Sequence, residues 1–276
     1  MAFLGEGVAV VTGAGSGMGR CLAQQLAAKG SALALADVSE AGLNATAELL
    51  RGASGKITKH IVNVAHEEQV EDFAAAVERE HGRATALFNN AGVALLGHLE
   101  EISLQDFRWL MDINFWGVVY GVSYFLPLLK REKRAHIINT SSLLGIFGAA
   151  GQGAYCASKF AVRGYTESLH HELLGTGVGV TCVHPGFVRT AIAEHAKVGQ
   201  RAGATLREES LTRFQKVART DAATAAAKIL RAVELNKPRV LIGPDAYFTD
   251  IWQRLKPASY WSLIAKQFED PGIKTT

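Results

Sequence analysis

The chain has 276 residues, 48% of them hydrophobic, which is enough for one large core. Charged residues make up 20% and the formal net charge is only +3, with no long basic stripe, so a nucleic-acid partner is not expected. The three cysteines (Cys21, Cys156, Cys182) are odd in number and irregularly spaced; they suggest neither a disulfide framework nor a metal site, and fit a reduced, cytoplasmic compartment.

Residues 1–7 do not read as a signal peptide, and no apolar run approaches the length of a membrane span. From residue 8 onward, short apolar runs alternate with helical patterns. Strands are predicted at 8–11, 32–36, 56–63, 86–89, 135–139, 179–184 and 239–243. Helices are predicted at 20–29, 40–50, 67–80, 104–129, 155–174 and 222–234. Seven strands separated by six helices predict an α/β fold: a doubly wound, seven-stranded parallel sheet with helices on both faces, in one Rossmann-type domain spanning 1–276. The basic run Lys130–Arg134 contains Glu132 and is expected to be a solvated connection.

The first apolar run opens into Thr12-Gly13-Ala14-Gly15-Ser16-Gly17-Met18-Gly19. Glycines at 13, 17 and 19 allow a tight turn and a close backbone approach to a pyrophosphate, whose charge the following helix N-terminus would meet. The second strand ends in Asp37, 24 residues after Gly13, where a carboxylate can accept both hydroxyls of an adenosine ribose. A 2′-phosphate would face that charge. Val38 follows and Ser16 precedes Gly17, so no basic residue is at hand nearby, and NAD is expected over NADP.

Tyr155 and Lys159 stand four apart on a predicted helix, hence on one face. A phenol with a pKa near 10 needs help to act as a base near neutrality, and an ammonium beside it, together with a positive nicotinamide ring, favours the phenolate. Ser142, thirteen residues upstream and just after a strand, can donate to a substrate oxygen while the phenol exchanges its proton.

These motifs, together with Asn89-Asn90-Ala91-Gly92, Asn114, and Pro185-Gly186 followed by Thr190, resemble the short-chain dehydrogenase/reductases of the Tyr-x-x-x-Lys type over residues 6–243. The resemblance implies a catalytic set of Asn114, Ser142, Tyr155 and Lys159, with Asn114 bending its long helix and holding a water that links Lys159 to solvent. It implies that Asn90, Ala91 and Gly92 lie along the adenosine ribose. Pro185 and Gly186 would flank the cofactor, Val188 and Thr190 would bind the nicotinamide carboxamide, and Lys159 would grip the nicotinamide ribose. Asn63-Val64 stands where relatives usually carry Asp-Val, and Asn63 should still accept from the adenine amino group. Position 162 is Val, which departs from the lysine spacing of enoyl reductases of this fold and favours carbonyl/alcohol chemistry. A homotetramer is also implied.

Candidate pocket residues are Leu143, Leu144, Ile146, Phe147, Val93, Ala94, Leu95 and Phe187, nearly all apolar and without an arginine to meet a carboxylate or phosphate. They suggest a bulky apolar secondary alcohol or ketone: a steroid, terpenoid or aryl carbinol. Ser142, Leu144, Tyr155 and Phe187 are the expected substrate contacts. The alternatives are an NADP-linked ketoreductase and a non-catalytic NAD-binding regulator. His184, before Pro185, is either a strand end or a substrate contact, and His170-His171 reads as a solvated helix face. Residues 191–220 form a candidate substrate lid. Residues 246–276, with Tyr247, Phe248, Trp252, Tyr260, Trp261 and Phe268, form an aromatic extension expected to pack on its own or a neighbouring subunit; the interleaved Arg254, Lys256 and Lys266 leave a membrane surface as the alternative.

Overall fold

The computed structural model describes residues 2–203 and 205–262. After a helical turn at Ala2–Gly5, the chain alternates strand and helix. The strands are β1 (Val8–Thr12), β2 (Ala32–Asp37), β3 (Ile57–Ile61), β4 (Ala86–Asn89), β5 (Ala135–Thr140), β6 (Val178–Pro185) and β7 (Arg239–Ile242). They form one seven-stranded parallel sheet in the order β7-β6-β5-β4-β1-β2-β3. The helices are α1 (Gly17–Ala28), α2 (Glu40–Leu49), α3 (Glu67–His81), α4 (Leu104–Met111), α5 (Gly117–Lys130), α6 (Gly153–Glu172), α7 (Leu206–Val217), α8 (Ala222–Glu234) and α9 (Pro244–Leu255).

Period-two alternation along the strands sends neighbouring residues to opposite faces. Val11 and Leu35 join Leu22 and Leu26 of α1 and Ile229 and Val233 of α8 in one core. Val10 and Leu87 join Phe73 of α3, Phe125 of α5 and Leu169 of α6 in the other. Phe125 is fully buried, and truncating such a side chain costs about 3–5 kcal/mol. The strand order reverses between β1 and β4, which opens a crevice at their carboxyl ends where ligands of such sheets bind.

Two expectations need correction. β3 is shorter than 56–63 and is an edge strand, with Ile61 exposed, so burial on both faces does not extend to it. The helix expected over 104–129 is interrupted by a π turn at Asp112–Trp116 carrying the buried Asn114. The candidate lid, residues 191–220, is anchored at two places. A two-residue ladder pairs Val188–Arg189 with Thr220–Asp221, closing the excursion at its base. A second ladder pairs Leu95–Leu96 with Lys197–Val198, and the Lys197 ammonium meets the buried Asp106 at 2.5 Å and lies over the Trp109 ring. The basic run after α5 is partly neutralised: Arg131 pairs with Glu78, and Glu132 with Arg83.

Of the aromatic extension, Tyr260 and Trp261 pack on Leu143, Leu144 and Phe147, while Lys266 and Phe268 lie outside the described residues. No described helix is long and apolar enough to cross a membrane.

Candidate active site

The turn from β1 to α1 is built around glycine. Gly13 has φ +66°, and a Cβ there would come within 2.9 Å of the Ala91 Cα; a Cβ on Gly19 would run into the Gly13 carbonyl. Larger residues would push α1 away from the sheet and close the cradle. Asp37, at the end of β2, accepts from Gly15 N–H at 2.8 Å and from Ser39 N–H at 2.9 Å. Thr12 Oγ1 accepts from the N–H groups of Asn90 (3.0 Å) and Ala91 (3.1 Å), seating the loop after β4 beside the glycine turn.

Two adjoining cavities run along this edge of the sheet. One is lined by Gly13, Ser16, Gly17, Met18, Asp37, Val38, Asn63, Val64, Asn90, Ala91, Gly92 and Thr190. The other is lined by Met18, Asn90, Gly92, Ser142, Leu144, Tyr155, Lys159, Pro185, Gly186, Phe187, Val188 and Thr190, with further apolar residues. Of the expected catalytic and cofactor-binding residues, Gly19 and Asn114 alone line neither. Gly19 packs on the turn itself. Asn114 supports the cavity wall: its Oδ1 accepts Val93 N–H at 2.9 Å, and its Nδ2 donates to Val93 O and to Ser158 Oγ. A Cβ on Gly92 would sit 3.2 Å from Asn114 Oδ1 and 3.4 Å from Lys159 Nζ, so this glycine lets both groups approach one point.

Helix α6 carries Tyr155 and Lys159 and is bonded to the end of β5. Ser141 Oγ donates to Lys159 O at 2.7 Å, and Lys159 Nζ donates to Thr140 O at 3.0 Å. Behind them Asn89 donates to Asn139, and Asn139 to Thr166 of α6. Lys159 Nζ stands 5.7 Å from the Tyr155 ring centroid. Burial acts on both groups. It pushes the Tyr155 phenol up to about 12, against a hydrogen bond with Ser142 that lowers it, and pushes the Lys159 ammonium down to about 8. Burial thus outweighs the Ser142 hydrogen bond, and the phenol keeps its proton at neutral pH.

Several residues depart from the sequence reading. Leu95 is core and its neighbour Leu96 lines the cleft; Ile146 and Phe147 are buried away from it. Asn63 Oδ1 already accepts Ala65 N–H, closing a local turn. Arg20 reaches the Gly15 carbonyl, so a basic residue does stand near the Asp37 end. Arg213 of α7 lines the cleft together with Leu206, Ser210, Phe214 and Val217, so an arginine does reach the pocket. Helical spacing could have found it: positions 206, 210, 213, 214 and 217 share one face. His184 does not line either cavity; it is fully buried.

The short chain dehydrogenase family model matches residues 7–200, and the chain belongs to this family of oxidoreductases. Over 260 residues it is 39% identical to the oxidoreductase SadH of Mycobacterium tuberculosis, covering 94% of each chain. It is 31% identical over 207 residues to the 3-oxoacyl-[acyl-carrier-protein] reductase FabG of Thermotoga maritima, covering 75% of this chain and 82% of the relative. A crystal structure of a short-chain dehydrogenase/reductase from Burkholderia phymatum, in complex with NAD, superposes with a TM-score of 0.83 at 31% identity and 98% coverage of both chains.

Proposed function

We propose that the protein is an NAD(H)-dependent alcohol dehydrogenase or carbonyl reductase acting on a bulky, largely apolar secondary alcohol or its ketone. The observation that carries this reading is the placing of Ser142, Tyr155 and Lys159 along one cleft that adjoins the glycine cradle ending at Asp37. The cradle residues fit a dinucleotide: a Cβ at Gly13 or Gly19 would collide with the Ala91 backbone or the Gly13 carbonyl and force open the tight turn on which a pyrophosphate would sit, and Asp37 offers a carboxylate at the ribose. A bound nicotinamide would accept or supply the hydride.

The chain's own residues do the rest. In reduction, the Tyr155 hydroxyl gives its proton to the substrate oxygen, and Ser142 donates a hydrogen bond to the same oxygen. In oxidation the tyrosine oxygen takes that proton. Lys159 favours the deprotonated tyrosine once a positive ring lies nearby, and binds the nicotinamide ribose. Thr140 O holds the Lys159 ammonium, and Asn114, beside Gly92, would hold a water that links it to solvent. Leu144, Phe187 and the pocket face of α7 take the apolar body of the substrate, with Arg213 and Ser210 placed to meet a polar end.

Arg20 on the Gly15 carbonyl favours a second reading, an NADP-linked ketoreductase, because a guanidinium there could meet a 2′-phosphate. Asp37 in the same turn opposes it. The exposed Leu104, Trp116 and Phe160, on α4, the π turn and α6, support packing into a homotetramer. Initial rates with NAD and NADP across a panel of hydrophobic secondary alcohols and ketones test the proposal. Turnover favouring NAD supports it, turnover favouring NADP selects the second reading, and no turnover with either contradicts both.

A further inference from the structure

His184 sits at the carboxyl end of β6, fully buried, in register with Leu241 of β7. The ladder between β5 and β6 ends beside it: Ser141 N–H donates to Val183 O at 2.8 Å, after which the β5 chain leaves the sheet for the 3-10 turn Leu143–Gly145. A strand that leaves its sheet leaves the next carbonyl, here that of Ser142, to find donors outside the ladder, and a buried carbonyl without one costs about 1–3 kcal/mol. His184 is one of two donors placed there. Its Nδ1 lies 3.0 Å from Ser142 O, which also accepts Gly145 N–H at 3.0 Å.

A carbonyl only accepts, so Nδ1 carries the proton and Nε2 is bare. Nε2 has no hydrogen-bond partner among the described residues. The ring is neutral: burial among apolar groups, with Arg239 and Arg163 nearby, holds its pKa down to about 4. Ser142 is thus gripped at its carbonyl by two donors, while its Oγ accepts Leu144 N–H at 3.1 Å.

We propose that His184 is a positioning residue for Ser142, its Nδ1–H extending the β5–β6 ladder by one bond and so fixing where the Ser142 hydroxyl points relative to Tyr155. This rests on the reading of Ser142 as a hydrogen-bond donor to the substrate oxygen. His184 touches neither cavity, so its loss should act on turnover and leave cofactor binding alone.

Three variants separate this from a packing role. Asparagine places an N–H where the ring Nδ1 stood, glutamine places it one bond farther out, and leucine fills space with no donor. With the best substrate of the panel, His184→Leu and His184→Gln should lower kcat by about tenfold or more while His184→Asn stays within about threefold of wild type, and all should bind NAD with unchanged affinity. Equal kcat in the Asn and Leu variants, whether both retained or both lost, overturns the proposal. A second readout needs no substrate. In the protein labelled with 15N-histidine, the His184 signal, assigned by its loss in His184→Asn, should show Nδ1 protonated and Nε2 bare; the opposite tautomer overturns the assignment. Failure of the whole panel would instead remove the reading of the active site and leave the tautomer result standing on its own.

Discussion

Asp37 accepts the Gly15 N–H at 2.8 Å, so the carboxylate proposed to read a ribose also fastens the glycine turn proposed to hold the pyrophosphate. Replacing Asp37 by Ser and Val38 by Arg should therefore do two things. The ratio of kcat/KM values should move toward NADP by about 2 kcal/mol, roughly thirtyfold. The better of the two efficiencies should nonetheless stay below that of wild type with NAD, because the turn has lost its anchor. Steady-state kinetics with both cofactors check this, and an unchanged preference would place the selection elsewhere.

The cleft-facing helix α7 has no fully buried residue, whereas the chain before it is held by the Lys197–Asp106 pair and its short ladder. The expected lid over 191–220 thus divides into a fixed part and a closing part. Hydrogen exchange should show 195–199 protected at all times and 206–217 protected only with NAD and substrate together. Phe214, whose ring meets Phe187 edge-on at 6.0 Å, should contribute most to large substrates. Phe214→Ala should raise KM for these by about tenfold and for small ones much less. Equal protection of 206–217 with and without ligands would make it ordinary scaffold.

Buried histidines predict the acid limit of stability. Burial lowers the pKa of His136 to about 3 and that of His184 to about 4, from an ordinary 6.5. The unfolded chain takes up protons that the folded chain refuses, so this stability is complete above about pH 6.5 and is lost as pH falls toward 4. Melting temperature should decline from pH 7 to 5, less steeply in His184→Asn. A flat profile over that window would mean that these rings are protonated in the fold.

Much of this was legible in the residues. The seven strands could be read because Val8–Thr12 and most of its counterparts are short apolar runs bounded by turns, and the residues proposed for cofactor and catalysis could be singled out from motifs such as the glycine turn and the Tyr155–Lys159 spacing. What escaped the reading depends on contacts across space. The π turn around Asn114 leaves the helical periodicity nearly intact. Which of Leu95 and Leu96 faces the cleft is settled by pairing with residues a hundred positions away. Arg20 and Arg213 reach the site only through the packing of α1 and α7, and His184 finds Ser142 only because β5 and β6 are neighbours.

Burial holds the Tyr155 phenol at about 12, so its proton should govern the direction of reaction. Ketone reduction, which uses the protonated phenol, should proceed at neutral pH and fall at high pH. Alcohol oxidation, which needs the deprotonated form, should rise with pH through the alkaline range. Rates in both directions from pH 6 to 10 check the sign, and parallel profiles would contradict it.

The Tyr155 hydroxyl is proposed to move the proton while the ring merely lines the cleft. Turnover of Tyr155→Phe, measured beside a fluorescence titration of the same variant with NADH, separates the two roles. A loss of about 10²–10⁴-fold in kcat is expected, with cofactor affinity essentially unchanged. Activity within about tenfold of wild type, less than a lost general acid–base group removes, would contradict it.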